Sequence, residues 1–296
     1  MVKKGIQNEN KGAKIFIAAL IVIADIIVLY PLINVVSVSF ASYSNYVSNP
    51  MMLFPTEFSL GAYQKILQYT PIWSGYTTTL FVTIVGTALG TFLTILTAYS
   101  LSKDWLRGRA FFMNFILFTM FFSGGIIPSF LLMRNINLLD SLWALILPSC
   151  LSAYNIILMR NFFTSLPKSL FEAAEIDGAS EPYILFKIVI PLSKAIIATI
   201  LLFLAVGYWN NYFSAILYIS SQSKWPLQLV LRELIMSATV VAQQTGGDLA
   251  EESMYEVPLI MIRYAAIVVA TVPILCAYPF VQKYFSKGVM LGAVKG

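Results

Sequence analysis

The chain has 296 residues, of which 58% are hydrophobic and only 11% charged, and its mean hydropathy is +0.78. That balance excludes an ordinary soluble domain and points to a polytopic membrane protein built as one membrane domain. The formal charge is +5 with no histidine at all, which removes histidine triads, histidine-ligated metals and imidazole proton relays. The basic residues stand at the ends of apolar runs, the pattern of membrane topology and not of nucleic-acid binding.

In chain order, Lys3, Lys4, Lys11 and Lys14 precede an apolar run that begins at Ile15. The run is too long for a signal-peptide core and no small-residue cleavage site follows it, so it reads as a retained first span. Apolar segments near 15–38, 73–100, 110–133, 141–162, 193–217 and 263–282 are each long enough for the roughly 30 Å hydrocarbon core, which takes about 20 helical residues. The expected fold class is therefore all-α, with six transmembrane helices and a polar helix-turn-helix loop. Residues 1–14 form an amino-terminal segment and 15–296 a single transmembrane domain. Within that domain the polar loop is 163–192, an outer loop 218–262 and a carboxyl-terminal tail 283–296.

Placing the amino terminus inside puts 14 of the 19 basic residues in inner segments and leaves 5, namely Lys65, Arg134, Lys224, Arg232 and Arg263, outside. Both termini and the polar loop are then cytoplasmic in a cell membrane. In the outer segment 39–72, Pro50, Pro55 and Pro71 break any long helix. The outer loop 218–262 predicts a short helix near 227–238 followed by an acidic stretch. It is either a contact for something outside the cell or a solvated connection.

Within the spans, Asp25 is a lone intramembrane acid, too little for the several buried charges an ion-coupled carrier needs. Gly86 and Gly90 form a GxxxG pair, read as close helix packing. Gly124 and Gly125 before Pro128 read as a kink in the third span. Tyr154 and Asn155, midway along the fourth span, suit either a central cavity or interhelical hydrogen bonds. Trp209, Asn210 and Asn211, with Tyr208 and Tyr212, suit either a sugar, with its apolar faces and hydroxyl ring, or an interfacial aromatic belt. Depth along the helix favours the belt. Cys150 and Cys276 both stand in apolar runs, so neither a disulfide framework nor a thiolate metal site is expected. The chain has no GxxxxGK[ST] loop, HExxH, GxSxG or CxxC, and an intramembrane enzyme finds no nucleophile–base pair here.

The most sharply punctuated segment is Phe171–Leu192, FEAAEIDGASEPYILFKIVIPL. Glu172, Glu175, Asp177 and Glu181 fall within it, in a chain with only 14 acids. Ser169 and Glu172 have the spacing of a capping box, Gly178 can supply a left-handed stop, and Ser180 with Pro182 can restart a helix. Lying beside an anionic inner leaflet, such a loop needs a basic protein partner to offset the repulsion.

Glu172-Ala173-Ala174, Asp177-Gly178-Ala179, Ile188 and Pro191-Leu192 resemble the EAA loop of binding-protein-dependent ABC importer permeases. MRNFFTSLP (159–167), residues 121–148, WPLQLVLRE (225–233) and residues 278–296 resemble the carbohydrate branch of that family, including its complex-polysaccharide permeases. The resemblance covers most of the chain. It implies one of two permease subunits, a heterodimer in this branch, served by an extracellular solute-binding protein and driven by a cytoplasmic ATPase dimer. Glu172 would pair with a basic residue of the ATPase groove, Ala173 and Ala174 would allow close approach, and Gly178 would make the turn. Asp177, Ala179 and Pro191 complete the coupling motif. The permease itself would bind no cofactor and catalyse nothing; ATP and magnesium belong to the ATPase. A proline often follows three residues after Pro191, whereas this chain has Lys194. The implied solute is a carbohydrate, an oligosaccharide by the branch resembled; the alternatives are a peptide or amino acid in the same kind of importer, or an ion-coupled carrier.

Overall fold

The computed structural model describes residues 11–244 and 259–292. Lys3 and Lys4, the acidic part of the outer loop from 245 to 258, and the last four residues of the tail lie outside the described residues. Helices come in the order α1 (Lys11–Ser39), α2 (Tyr43–Ser48), α3 (Gly61–Gln68), α4 (Thr70–Ser102), α5 (Arg109–Phe121), α6 (Ile126–Asn135), α7 (Trp143–Ile146), α8 (Ala153–Thr164), α9 (Lys168–Ile176), α10 (Glu181–Ile184), α11 (Ile190–Leu192), α12 (Lys194–Trp209), α13 (Phe213–Tyr218), α14 (Leu227–Gln244) and α15 (Leu259–Gly292). Extended pairing among the described residues is confined to a single bridge between Ala41 and Phe58. The all-α expectation holds.

Two of these helices, α1 and α4, are each long and apolar enough to cross a membrane. Three further stretches qualify only as bent pairs: α5 with α6 at 115°, α7 with α8 at 49°, and the 181–192 segment with α12 at 83°. Ile260–Cys276 within α15 is a shorter apolar stretch. Every expected span thus falls largely on helix, but three are interrupted, the fourth by the 49° bend between α7 and α8. The third is not one kinked helix. Phe122 is extended and Gly125 sits at φ 85°, ψ 179°, a conformation open essentially to glycine alone, so the chain breaks and turns through 115°. Pro128 then lies in the first turn of α6, where its missing N–H removes no helical bond. The fifth stops at Trp209: Asn210 closes α12, and the Asn211 side chain accepts the Ser214 N–H at 3.2 Å to start α13.

The chain divides into two compact units, one running up to Tyr69 and including Leu234–Val272, the other comprising Thr70–Glu233 and the chain from Pro273. In the first, α1 is exposed along its apolar length and becomes buried only at Ser37–Ser39. There the outer segment folds back onto it. Asn34 donates to the carbonyls of Pro50 and Met52 at 3.1 and 2.9 Å, and the Ser39 and Tyr63 hydroxyls meet at 2.8 Å. Phe40 stacks between Phe58 and Tyr63, with centroids 5.3 and 4.7 Å away. Pro50 and Pro55 leave this segment only short helices, as expected; Pro71 breaks none, since it lies in the first turn of the long α4, where its missing N–H removes no helical bond.

In the second unit α4 is the spine, packed by α8 and α12. Between helices in lipid there is little hydrophobic gain, so close backbone approach carries the packing. The GxxxG pair serves this within the chain. A Cβ on Gly86 would lie 2.6 Å from the Tyr208 ring, and one on Gly90 would lie 2.6 Å from the Cys150 carbonyl oxygen. The Tyr208 hydroxyl donates to the Ile146 carbonyl at 2.9 Å, and the Thr79 hydroxyl accepts the Leu227 N–H at 2.8 Å.

Asp140, at φ 55°, joins two outer connections of this unit. Its carboxylate accepts from Lys224 at 2.8 Å, the Ser221 hydroxyl at 2.7 Å, and the N–H groups of Ser221 and Ser220 at 2.9 and 3.1 Å. Lys224 and then Ser221 hold the Asp140 carboxyl well below its ordinary value.

Gly90→Ala is expected to destabilise the bundle by about 1–3 kcal/mol, because the obstructing atom is backbone. Gly86→Ala meets a side chain instead, so Tyr208→Leu should recover part of that loss and none of the loss at Gly90. Thermal unfolding in detergent reads both. For Asp140 the depressed carboxyl stabilises the fold above the ordinary carboxylate range and stops doing so as pH falls below it. An acid-induced loosening of the 218–226 connection in the wild type, missing in Asp140→Asn, is the expected result by hydrogen exchange.

Candidate functional site

The acidic segment forms the helix-turn-helix that its punctuation predicts. Its start differs from expectation. Pro167 occupies the N-cap position with no side-chain cap, and the helix begins at Lys168. Ser169 is therefore already inside the first turn, and the Ser169–Glu172 capping box does not form. Along α9, Ala174 is buried and Phe171 half-buried against the bundle, while Glu172, Ala173, Glu175 and Ile176 point outward. Ile176 is 86% exposed, an apolar side chain held in the open on an ordered helix.

The helix ends in a Schellman turn. The Gly178 N–H bonds the Glu175 carbonyl at 3.0 Å and the Ala179 N–H bonds the Ala174 carbonyl at 2.9 Å. The turn needs a left-handed residue, and Gly178 supplies it at φ 74°. Asp177 is the exposed C-cap, and Ala179 packs beside the buried Ala174. Glu181 opens α10, its charge favourable at the positive helix end, and Pro182 lies in the first turn. A π-helical turn, Leu185–Val189, follows. Pro191 is an exposed residue of α11 just before the 83° bend into α12.

Beneath the loop lies a cluster that the sequence signals did not bring together. Lys103, at the end of α4, is 8% exposed and contacts Glu181 at 3.0 Å. The Tyr99 hydroxyl donates to the same carboxylate oxygen. The ammonium also sits 4.9 Å over the Tyr99 ring and 4.8 Å over that of Phe171. Burial pushes the Glu181 carboxyl up, but the Tyr99 hydroxyl and Lys103 outweigh it, and the net shift is downward. Around the rim, Asp104 pairs with Arg109 at 2.5 Å and Lys168 at 3.2 Å, both in the open. Of the four acids in the segment, one is thus turned inward and three are presented. The spacing of Tyr99 and Lys103 gave little clue, because α4 ends at Ser102 and Lys103 lies just past the helix that carries Tyr99.

The polar candidates in the spans are divided by the fold. A cleft of about 470 Å³ is lined by Ser149, Ser152, Tyr154, Asn155, Phe203, Leu204, Gly207, Tyr208, Asn211 and Ser214. It unites Tyr154, Asn155 and Asn211. Trp209 is buried and Asn210 donates its side-chain amide to the Val206 carbonyl at 3.0 Å; neither lines the cleft. Ser149, Ser152 and Ser214 were not foreseen, because single serines in apolar helices carry no pattern. Gly207 does not loosen α12, which runs on to Trp209; with no heavy atom within 4 Å of its absent Cβ, it leaves the cleft wall open. The lining offers hydroxyls, amides and aromatic faces with no ionised side chain, which suits a hydroxyl-rich solute and gives no acid–base or nucleophilic chemistry.

Residues 86–291 match the family described as "Binding-protein-dependent transport system inner membrane component". The chain is 45% identical to the polygalacturonan/rhamnogalacturonan transport system permease protein YtcP of Bacillus subtilis (strain 168), over 97% of this chain and 100% of that one. It is 42% identical to protein LplC of the same organism, over 91% of this chain and 90% of LplC. It also superimposes with a TM-score of 0.86 and 35% identity on a chain in the crystal structure of a bacterial ABC transporter that imports the acidic polysaccharide alginate, covering 96% of this chain and 100% of that one.

Gly178→Ala is expected to cost about 1 kcal/mol, since nothing crowds the added methyl and only the left-handed backbone opposes it. The loss should be local, visible as faster amide exchange at Gly178 and Ala179 with the unfolding temperature of the bundle little changed.

Proposed function

The chain belongs to the family of binding-protein-dependent transport system inner membrane components, and from that premise we propose that the α9–α10 loop is where a partner ATPase drives it. The chain is a permease, a transport subunit and not an enzyme. Its solute is an oligosaccharide. The observation that carries the driving role is the ordered, outward face of α9, where Glu172, Ala173 and Ile176 stand exposed on a helix stopped by a glycine turn. Glu172 offers a charge to a basic groove, Ala173 lets two backbones approach, and Ile176 gives an apolar anchor that water alone would not favour. Asp177, Gly178 and Ala179 set the turn, Ala174 holds the helix to the bundle, and Pro191 sits at the bend that leads into α12.

Membership in the family brings with it an ATPase, a second permease subunit and a solute-binding protein as partners. ATP and its magnesium are held by the ATPase; this chain binds neither. The ATPase works as a dimer and the second permease is a different chain. Six spans place both termini and the loop on the cytoplasmic side, as the 14 inner basic residues support. Closure of the ATPase moves the loop, and the two permease subunits rock so that the solute path opens alternately outward and inward.

The oligosaccharide reading is supported by relatives whose solutes are polygalacturonan, rhamnogalacturonan and alginate. The neutral cleft supports it too: Tyr154 and Phe203 present aromatic faces, while Asn155, Asn211 and three serines present hydrogen-bonding groups.

Glu172→Lys and Gly178→Pro should each either release the ATPase in pull-down or leave it bound while uncoupling hydrolysis from uptake. Full retention together with normal transport would remove the loop from its proposed role. The partner binding protein should retain short oligogalacturonides and ignore free amino acids and peptides in a calorimetric titration. The reverse preference would replace the substrate class.

A further inference from the structure

Among the described residues Lys103 is the one charged side chain buried to 8% exposure. An ammonium in such a place costs several kcal/mol of desolvation unless it is well paired. Its partners come from three helices at once. Glu181 of α10 meets it at 3.0 Å, the Phe171 ring of α9 covers it at 4.8 Å, and the Tyr99 ring of α4 lies 4.9 Å away. The Tyr99 hydroxyl donates to the same Glu181 oxygen, so α4 and the residue that follows it grip that carboxylate through two donors.

The other contacts between loop and bundle differ in character. Phe171, Ala174, Ile184 and Leu185 pack by apolar surface, which resists separation but has no preferred direction. The Asp104–Lys168 pair is exposed, and such a pair contributes about 1 kcal/mol or less. The Tyr99–Lys103–Glu181 group is directional, and it reaches from the half-exposed Glu181 carboxylate to a phenol and an ammonium that are buried. It is anchored on α4, the helix that packs against both α8 and α12, whose side chains wall the cleft.

We propose that Tyr99, Lys103 and Glu181 form the joint that carries displacement of the α9–α10 loop into α4, and through α4 to the walls of the solute cleft. This is a positioning role, and it rests on the loop being the ATPase contact. When the loop is pushed, apolar surfaces alone would let α9 and α10 slide over the bundle. The loop cannot slide away from the buried Lys103 without leaving that ammonium unpaired, so α4 moves with the loop.

The test uses the whole transporter, with its ATPase, second permease and binding protein, reconstituted in liposomes. It reads uptake of a labelled short oligogalacturonide per ATP hydrolysed, and ATPase retained in the complex. Lys103→Met combined with Glu181→Gln removes the pair without leaving an orphan charge. The expected outcome is full retention of the ATPase with uptake per ATP lowered about five- to tenfold. Lys103→Arg, which keeps a cation over the rings, should hold the wild-type ratio. An unchanged ratio in the neutral pair overturns the joint, as does a fall in Lys103→Arg as deep as that in the neutral pair. Loss of the ATPase from the neutral pair also overturns it, because the ion pair would then hold the loop's shape instead of carrying its motion. Should the wild-type complex take up the probe without hydrolysing ATP, the driving role of the loop itself fails and the joint falls with it.

Discussion

The second unit depends on how closely other elements can approach α4. In lipid, apolar side chains gain little by leaving one greasy environment for another, so helices are held by packing at short range and by the few polar groups they share. The Gly86 and Gly90 positions admit the Tyr208 ring and the Cys150 carbonyl to distances that a methyl group would block. Hydrogen bonds then fix the approach: Tyr208 to Ile146 beside the cleft, Thr79 to Leu227 towards the start of α4, and Tyr99 to Glu181 near its end. A single helix thereby holds the cleft walls, an outer connection and the loop in register.

Polar groups in this unit are spent where irregular backbone must be stabilised. Asp140 satisfies two N–H groups, a hydroxyl and an ammonium, which ties together two connections that have no regular structure of their own. Gly125 and Gly178 stand where the backbone takes positive φ, one breaking a hydrophobic run and the other ending α9. The π-helical turn before Pro191 and the 83° bend after it let α10 and α11 run against the core before α12 departs in another direction.

Much of the fold was legible because membranes simplify the code. About 20 consecutive apolar residues leave the backbone few choices but helix, and the expected spans fell on helical residues, the first and second on single helices and the third, fourth and fifth on interrupted ones. The short prolyl outer segment and the helix near 227–238 were also readable, the latter running on to Gln244. The ends and interruptions were less so. Ser169 and Glu172 had capping-box spacing, yet Pro167 started the helix earlier, since a fixed φ near −60° pre-shapes the turn without any side-chain bond. Gly124-Gly125 announced a weak point, but neither its angle nor its effect on the span can be read from two glycines.

What the sequence determined alone was class: a greasy, histidine-free chain with an acidic, punctuated loop at Phe171–Leu192, whose spacing from Glu172 to Pro191 is a local property of consecutive residues. Tertiary structure decided which polar residues share a site. It gathered Tyr154, Asn155 and Asn211 around a cleft and left Trp209 and Asn210 out of it, and it turned Glu181 away from the loop's outer face onto Lys103. The reason is geometric. Helical periodicity says which side a residue occupies on its own helix, but the partner it meets depends on how two helices cross and where a bend redirects the chain. Those angles are set by contacts such as Gly86 on Tyr208, between residues far apart in sequence.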